Sequence, residues 1–240
     1  DVYVIPSGID TTRFYKENID KNEIINLKKD LGLKKTDFIV LYVGRIAKEK
    51  SIDFLINNFN SVLNRIPKAK MIIVGDGPDI KDLIDLTRKK GLENKIIFTG
   101  KAPWTDVPKY YSLCDLFVTA SKTETQGLTV MEAMGASKPV VAIRDESFEL
   151  MITDKKDGLF FDDEKSYVDM IYEVYKNKKL RDEISFNARL TADKYSPCNY
   201  AKNVLKVYDK VISKDTNVVK KVVHNVKKIF TKSGGKKWKN

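Results

Sequence analysis

The chain holds 240 residues, 42% of them hydrophobic, enough to bury a sizeable core. No apolar run approaches the roughly 18 residues of a membrane span, and the opening DVYVIPSGID lacks the basic start and apolar centre of a signal peptide. The formal charge is +11, but residues 217–240 hold eight lysines and no acid, so the body is nearly balanced and offers no folded basic face of the kind that reads nucleic acid.

The two cysteines, Cys114 and Cys198, have no Cys or His at metal-ligand spacing, which fits a reducing, cytoplasmic compartment. Cys114, inside LCDLFV, reads as a core thiol. His224 is the only histidine, which restricts every mechanism that needs a His base or ligand. The chain opens on Asp1 rather than Met and reads as a piece of a longer protein.

In chain order, FIVLYVG (38–44), KMIIVG (70–75), KIIFTG (95–100), DLFVTA (115–120) and KPVVAI (138–143) are short and rich in β-branched or aromatic residues. Such runs predict buried parallel strands. Between the first two, Ile52, Leu55, Ile56, Phe59, Leu63 and Ile66 recur at three- and four-residue steps, which predicts one amphipathic helix. Further helices are expected over 78–90, 106–113 and 127–136. After GLFF (158–161) the pattern turns helical over 164–176, 179–194 and 198–212. The alternation predicts an α/β fold, a Rossmann-like doubly wound parallel sheet over residues 1–213, followed by a basic amphipathic tail over 214–240.

In an open parallel sheet, ligands bind beyond the carboxyl ends of the strands. That gathers four loops: VGRIAKEK, VGDGPD, TGKAPW and ASKTETQG. Arg45 can grip two oxygens at once and Lys50 supplies a mobile point charge, a pair suited to a diphosphate. Gly127, Leu128 and Thr129 open a helix whose free N–H groups favour an anion. Glu124 and Glu132 flank that tip, and ionised carboxylates accept hydrogen bonds from hydroxyls. A ligand with hydroxyl-rich groups on both sides of a diphosphate satisfies all of these at once, and a nucleotide sugar is such a ligand. Each signal alone is weak: glutamates eight apart arise by chance, Arg45 and Lys50 read equally as surface ions, and GDG, with Gly75 and Gly77, reads more readily as a strand-end turn than as a phosphate cradle.

The ordered combination VIPSGID, VGRIAKEK, IIVGDGP, FTGKAPWTDVPKYYSLCDLFVTAS and ETQGLTVMEAMGASKPVVA, over roughly residues 2–210, resembles the carboxyl-terminal half of GT-B glycosyltransferases of family 4, the retaining group 1 transferases. That resemblance implies that Gly44, Arg45 and Lys50 meet the donor diphosphate, Glu124 the donor sugar and Glu132 the ribose. Backbone at Gly127, Leu128 and Thr129 would cover the phosphates and sugar, Gly75 and Gly77 would border the site, and Lys101 and Ala102 would lie by the base. Glu124, Arg45 and Lys50 are the expected catalytic set, acting by stabilising charge on the departing diphosphate. The sequence contains no Asp-x-Asp, in keeping with that family's metal-independent mode, so no metal or other cofactor is expected beyond the UDP-sugar donor. Ser7, Ser51 and GASKPVV depart from the family's usual residues. The resemblance also implies an amino-terminal Rossmann domain that binds acceptor and that this chain lacks, so the chain alone is expected to be inactive.

KTETQGLTVMEAM with RDESFELMI is similar to the bacterial diacylglycerol glucosyltransferases, which implies glucose transfer to a lipid. A family member acting on a polysaccharide or protein, and a nucleotide-sugar-binding module without transfer, remain alternatives. In the tail, at about 100° per residue, Val218, Val219, Val222, Val223, Val226, Ile229 and Phe230 fall within an arc of roughly 140°. Lys220, Lys221, Lys227 and Lys228 lie outside it. This predicts a basic amphipathic helix on an anionic membrane surface, at the inner face of the cell membrane.

Overall fold

The computed structural model describes residues 2–214; residues 215–240, and with them the expected basic helix of the tail, lie outside the described residues. Two compact units are formed, one of residues 9–196 and a smaller one in which residues 2–8 accompany residues 197–214.

The larger unit runs α1 (Lys21–Asp30), β1 (Phe38–Val43), α2 (Ile52–Asn57), α3 (Phe59–Arg65), β2 (Ala69–Val74), α4 (Ile80–Lys89), β3 (Ile96–Gly100) and α5 (Val107–Leu113). It continues with β4 (Leu116–Thr119), α6 (Leu128–Gly135), β5 (Val140–Ile143), α7 (Glu146–Glu149), β6 (Leu159–Phe161), α8 (Glu164–Lys176) and α9 (Lys178–Lys194). All six strands are parallel, in the order β3-β2-β1-β4-β5-β6. This is the doubly wound arrangement expected from the alternation of apolar runs and helical periods.

Every residue of FIVLYV in β1 is buried, which is why the run shows no alternation. Pairing of Val43 with Val74 aligns the carboxyl ends of β1 and β2, so their following loops emerge side by side. Chain order reverses between β1 and β4, where a crevice opens at the top of the sheet.

The apolar stripe expected as one helix is divided. Asn58, only 7% exposed, donates from its side chain to the Phe54 carbonyl at 2.9 Å, and α2 and α3 meet there. An asparagine that bonds backbone in this way competes with the regular helix. In α3 the fully buried residues are Phe59 and Val62, with Leu63 only partly covered. Burying each large side chain of this stripe contributes about 1.5–3 kcal/mol. Helix α1 is absent from the sequence reading because none of its residues is fully buried: KNEIINLKKD lays only Ile24 and Leu27 against the core, and its start is set by Asp20 accepting from Asn22 N–H.

In the smaller unit, α10 (Pro197–Lys214) carries Lys210 with its Nζ 5.3 Å from the centre of the Tyr3 ring, and Gly8 lets the chain pass Pro197. Among the described residues no helix is long and apolar enough to cross a membrane.

Candidate functional site

The loops after β1 and β2 interlock through their backbones. Gly44 N–H donates to Val74 at 3.0 Å, Ile46 N–H to the Asp76 carbonyl at 3.0 Å, and Asp79 N–H to Ile46 at 3.3 Å. The approach leaves no room for side chains: a Cβ on Gly75, where φ is +145°, would stand 1.8 Å from the Gly44 carbonyl oxygen. One on Gly77 would stand 2.0 Å from that of Ile46. The two glycines therefore serve backbone packing first and border the site as a result, while the Asp76 carboxylate turns back to accept from Gly77 N–H at 2.7 Å.

Two cavities share a wall of Val43, Gly44 and Arg45. The larger, about 640 Å³, is lined also by Gly75, Asp76, Gly77, Lys101, Ala102 and Val107. The smaller, about 400 Å³, is lined by Tyr42, Glu49, Lys50, Thr119 and Glu124 and by the chain from Thr125 to Thr129. Residues from four separate loops thus come together around one divided crevice.

Gly127 precedes α6 in the left-handed region, at φ +49°, and no side chain caps the helix. Its first N–H groups border the smaller cavity, an arrangement that favours an anion. The helix start is backed by α7 and the residues just after it: a Cβ on Gly127 would meet Met151 Cε at 2.4 Å and Phe148 at 3.3 Å.

Lys50 Nζ donates to Glu124 Oε1 at 2.6 Å, each side chain about one-fifth exposed at 19% and 22%. Arg45 is mostly exposed and reaches Glu49 at 3.7 Å, a loose surface pair that contributes little to stability. Tyr42 underlies this corner, its hydroxyl donating to the Arg45 carbonyl at 3.0 Å. Burial first, then the nearby charges of Glu124 and Glu49, hold that hydroxyl protonated well above the ordinary tyrosine range.

Glu132 stands apart from its expected neighbours and lines neither cavity. Its Oε2 accepts from the Tyr111 hydroxyl at 2.9 Å. Burial raises the Glu132 carboxyl above its usual value, opposed by the Tyr111 hydrogen bond and by the charge of Arg13. Of the residues singled out from sequence, then, Gly44, Arg45, Lys50, Gly75, Gly77, Lys101, Ala102, Glu124, Gly127, Leu128 and Thr129 border the crevice, and Glu132 does not line it.

Tyr42, Glu49, Asp76, Thr119 and Tyr111 escaped the sequence reading. The signal for the tyrosines was a phenol inside apolar stretches, since a buried hydroxyl needs a partner. Among the described residues no cluster of His, Cys, Asp or Glu is placed to hold a metal ion.

Comparison with known proteins gives the family and the fold. The model of the family Glycosyl transferases group 1 matches residues 23–191. Alpha-monoglucosyldiacylglycerol synthase of Acholeplasma laidlawii is 35% identical over 218 residues, covering 91% of this chain and 55% of that protein. The protein of the same name from Streptococcus pneumoniae is 30% identical, over 88% of this chain and 47% of that protein. The structure of Anabaena HepE in complex with UDP and glucose superposes with a TM-score of 0.77 at 22% identity, over 87% of this chain and 57% of that one. The chain therefore spans about half the length of the curated relatives it matches.

Proposed function

The chain belongs to the glycosyl transferases of group 1, and from that premise we propose that it is the donor-binding half of a retaining transferase moving glucose from a UDP-sugar to a diacylglycerol-type lipid. The observation that carries this reading is the divided crevice with Arg45 on its shared wall. A nucleotide sugar is itself divided, with base and ribose on one side of a diphosphate and hexose on the other. The larger lobe takes the base beside Lys101 and Ala102. The smaller lobe takes the hexose beside Glu124, and the diphosphate crosses the wall between Arg45, Lys50 and the tip of α6.

In this arrangement Arg45 and Lys50 stabilise the charge that grows on the departing diphosphate, the dominant catalytic contribution for such a step. Glu124 accepts from the sugar hydroxyls and Glu132 from the ribose. The lipid acceptor is supported by the names of the two synthases, and a UDP donor by the ligands held in HepE. Acceptor binding requires a further domain in the complete protein, consistent with the partial coverage of the relatives. Residues 217–240, with their eight lysines, supply contact with an anionic membrane surface.

The test is transfer by the full-length protein from a panel of labelled nucleotide sugars to diacylglycerol in vesicles. Labelled α-glucosyldiacylglycerol from UDP-glucose alone is the expected product. Transfer only to a sugar or protein acceptor, or no transfer at all, would remove the lipid assignment.

A further inference from the structure

The Tyr111 ring is wholly buried, 5.5 Å from Phe14 in an edge-on contact and 5.9 Å from Phe117. Its hydroxyl lies 2.9 Å from Glu132 Oε2 and 3.1 Å from the Thr129 carbonyl oxygen. A phenol has one proton, and a charged acceptor draws it more strongly than a neutral carbonyl. Tyr111 therefore reaches from α5 to two points of α6, one on the backbone of its first turn and one on the carboxylate a turn further in. The other carboxylate oxygen, Oε1, has no hydrogen-bond partner among the described residues.

From this we infer that Tyr111 is a positioning residue, which turns Glu132 so that one oxygen is occupied within the protein and the other is left to select a ribose hydroxyl of the donor. The inference rests on the reading of Glu132 as the ribose ligand. A wholly buried ring packed on Phe14 and Phe117 cannot follow a side chain that rotates, so the carboxylate has one favoured orientation before the ligand arrives. Preorganisation of this kind improves affinity because the ordering is complete beforehand. Being fully covered, Tyr111 cannot touch the donor, and its effect must pass through Glu132. The hydroxyl also favours the ionised carboxylate against the opposing effect of burial, which keeps Glu132 an acceptor.

The experiment compares UDP-glucose with its 2′-deoxy and 3′-deoxy ribose analogues on the full-length protein, reading KM and kcat separately. The natural protein should prefer the ribose donor over at least one analogue by about 10- to 100-fold in KM, the range of one hydrogen bond to a charged group. Tyr111→Phe keeps the ring contacts and should bring that preference to within about threefold, with kcat at saturating donor little changed. In a Glu132→Ala background, Tyr111→Phe should produce no further change in preference. Should Tyr111→Phe fail to fold, 3-fluorotyrosine at position 111, which keeps the ring and acidifies the phenol, serves in its place and should alter the preference.

If Glu132→Ala abolishes the preference and the change at Tyr111 leaves it intact, Tyr111 is packing only and the inference is overturned while the ribose reading stands. If Glu132→Ala itself leaves the preference unchanged, the ribose reading fails and takes the inference with it.

Discussion

Lys50 and Glu124, 74 positions apart in the chain, are joined by a 2.6 Å hydrogen-bonded ion pair at the edge of the smaller cavity. The two residues proposed to serve different parts of one ligand thus satisfy each other within the protein. Under the proposed function, a donor diphosphate at Lys50 would compete with Glu124 for that ammonium and free the carboxylate for sugar hydroxyls.

Glu124→Ala in the full-length protein should reduce transfer about 100-fold, by analogy with the loss of one well-placed polar group in an active site. Because the pair is about four-fifths buried, removing one partner should also lower stability by about 1–3 kcal/mol, between the values for exposed and for fully buried pairs. Urea unfolding and initial rates measured on the same preparation separate the two effects. Near-normal turnover would remove Glu124 from its role.

Gly75→Ala and Gly127→Ala should differ in severity. At Gly75 the added Cβ meets backbone at 1.8 Å, whereas at Gly127 the nearest atom is the flexible end of Met151. Overpacking together with the positive φ makes the first substitution cost about 3 kcal/mol or more, and the second about 1–2 kcal/mol. Denaturant midpoints give the order, and a milder Gly75→Ala would contradict the interlocked loops.

The pH dependence of stability should carry a contribution from Glu132. Its folded carboxyl holds its proton to higher pH than the ordinary value of 4.5. Between the unfolded and folded values the native state binds more protons than the unfolded state, so stability from this group falls as pH rises through that window. Glu132→Gln removes the group's titration, and its stability relative to the natural protein should improve from pH 4 upward until the folded value is passed. Parallel stability–pH curves for the two proteins would refute the buried, titrating carboxylate.

Thiol labelling should distinguish the cysteines. Cys114 is buried, and burial pushes its thiol up to about 12, whereas Cys198 is exposed. A neutral-pH reagent should label one thiol in the native protein and two after denaturation, because only the thiolate reacts. Cys198→Ser should abolish the native signal.

Particular residues show how far the sequence could be read. FIVLYV announced β1 because a strand buried on both faces must be apolar throughout. That Arg45, Lys50 and Glu124 border the crevice was legible because they sit in loops that follow strand ends of an open parallel sheet, where such loops gather. The break at Asn58 was not, since an asparagine bonds its own helix only where packing has already covered it. Nor was α1, whose contacts with the core are too sparse to leave a strong period in the sequence.

What the sequence by itself determined is the order of the buried strands and of the helices with a strong apolar period, and the inventory of charged, hydroxyl-bearing and glycine residues near the top of the sheet. Spacing within one element follows from local geometry, so those features can be read directly. Only the tertiary structure decided that Lys50 pairs with Glu124, that Gly75 is demanded by the Gly44 carbonyl, and that Glu132 bonds to Tyr111. Each of these joins separate elements, and the contact depends on how helices and loops are laid on the sheet, a quantity no single segment contains.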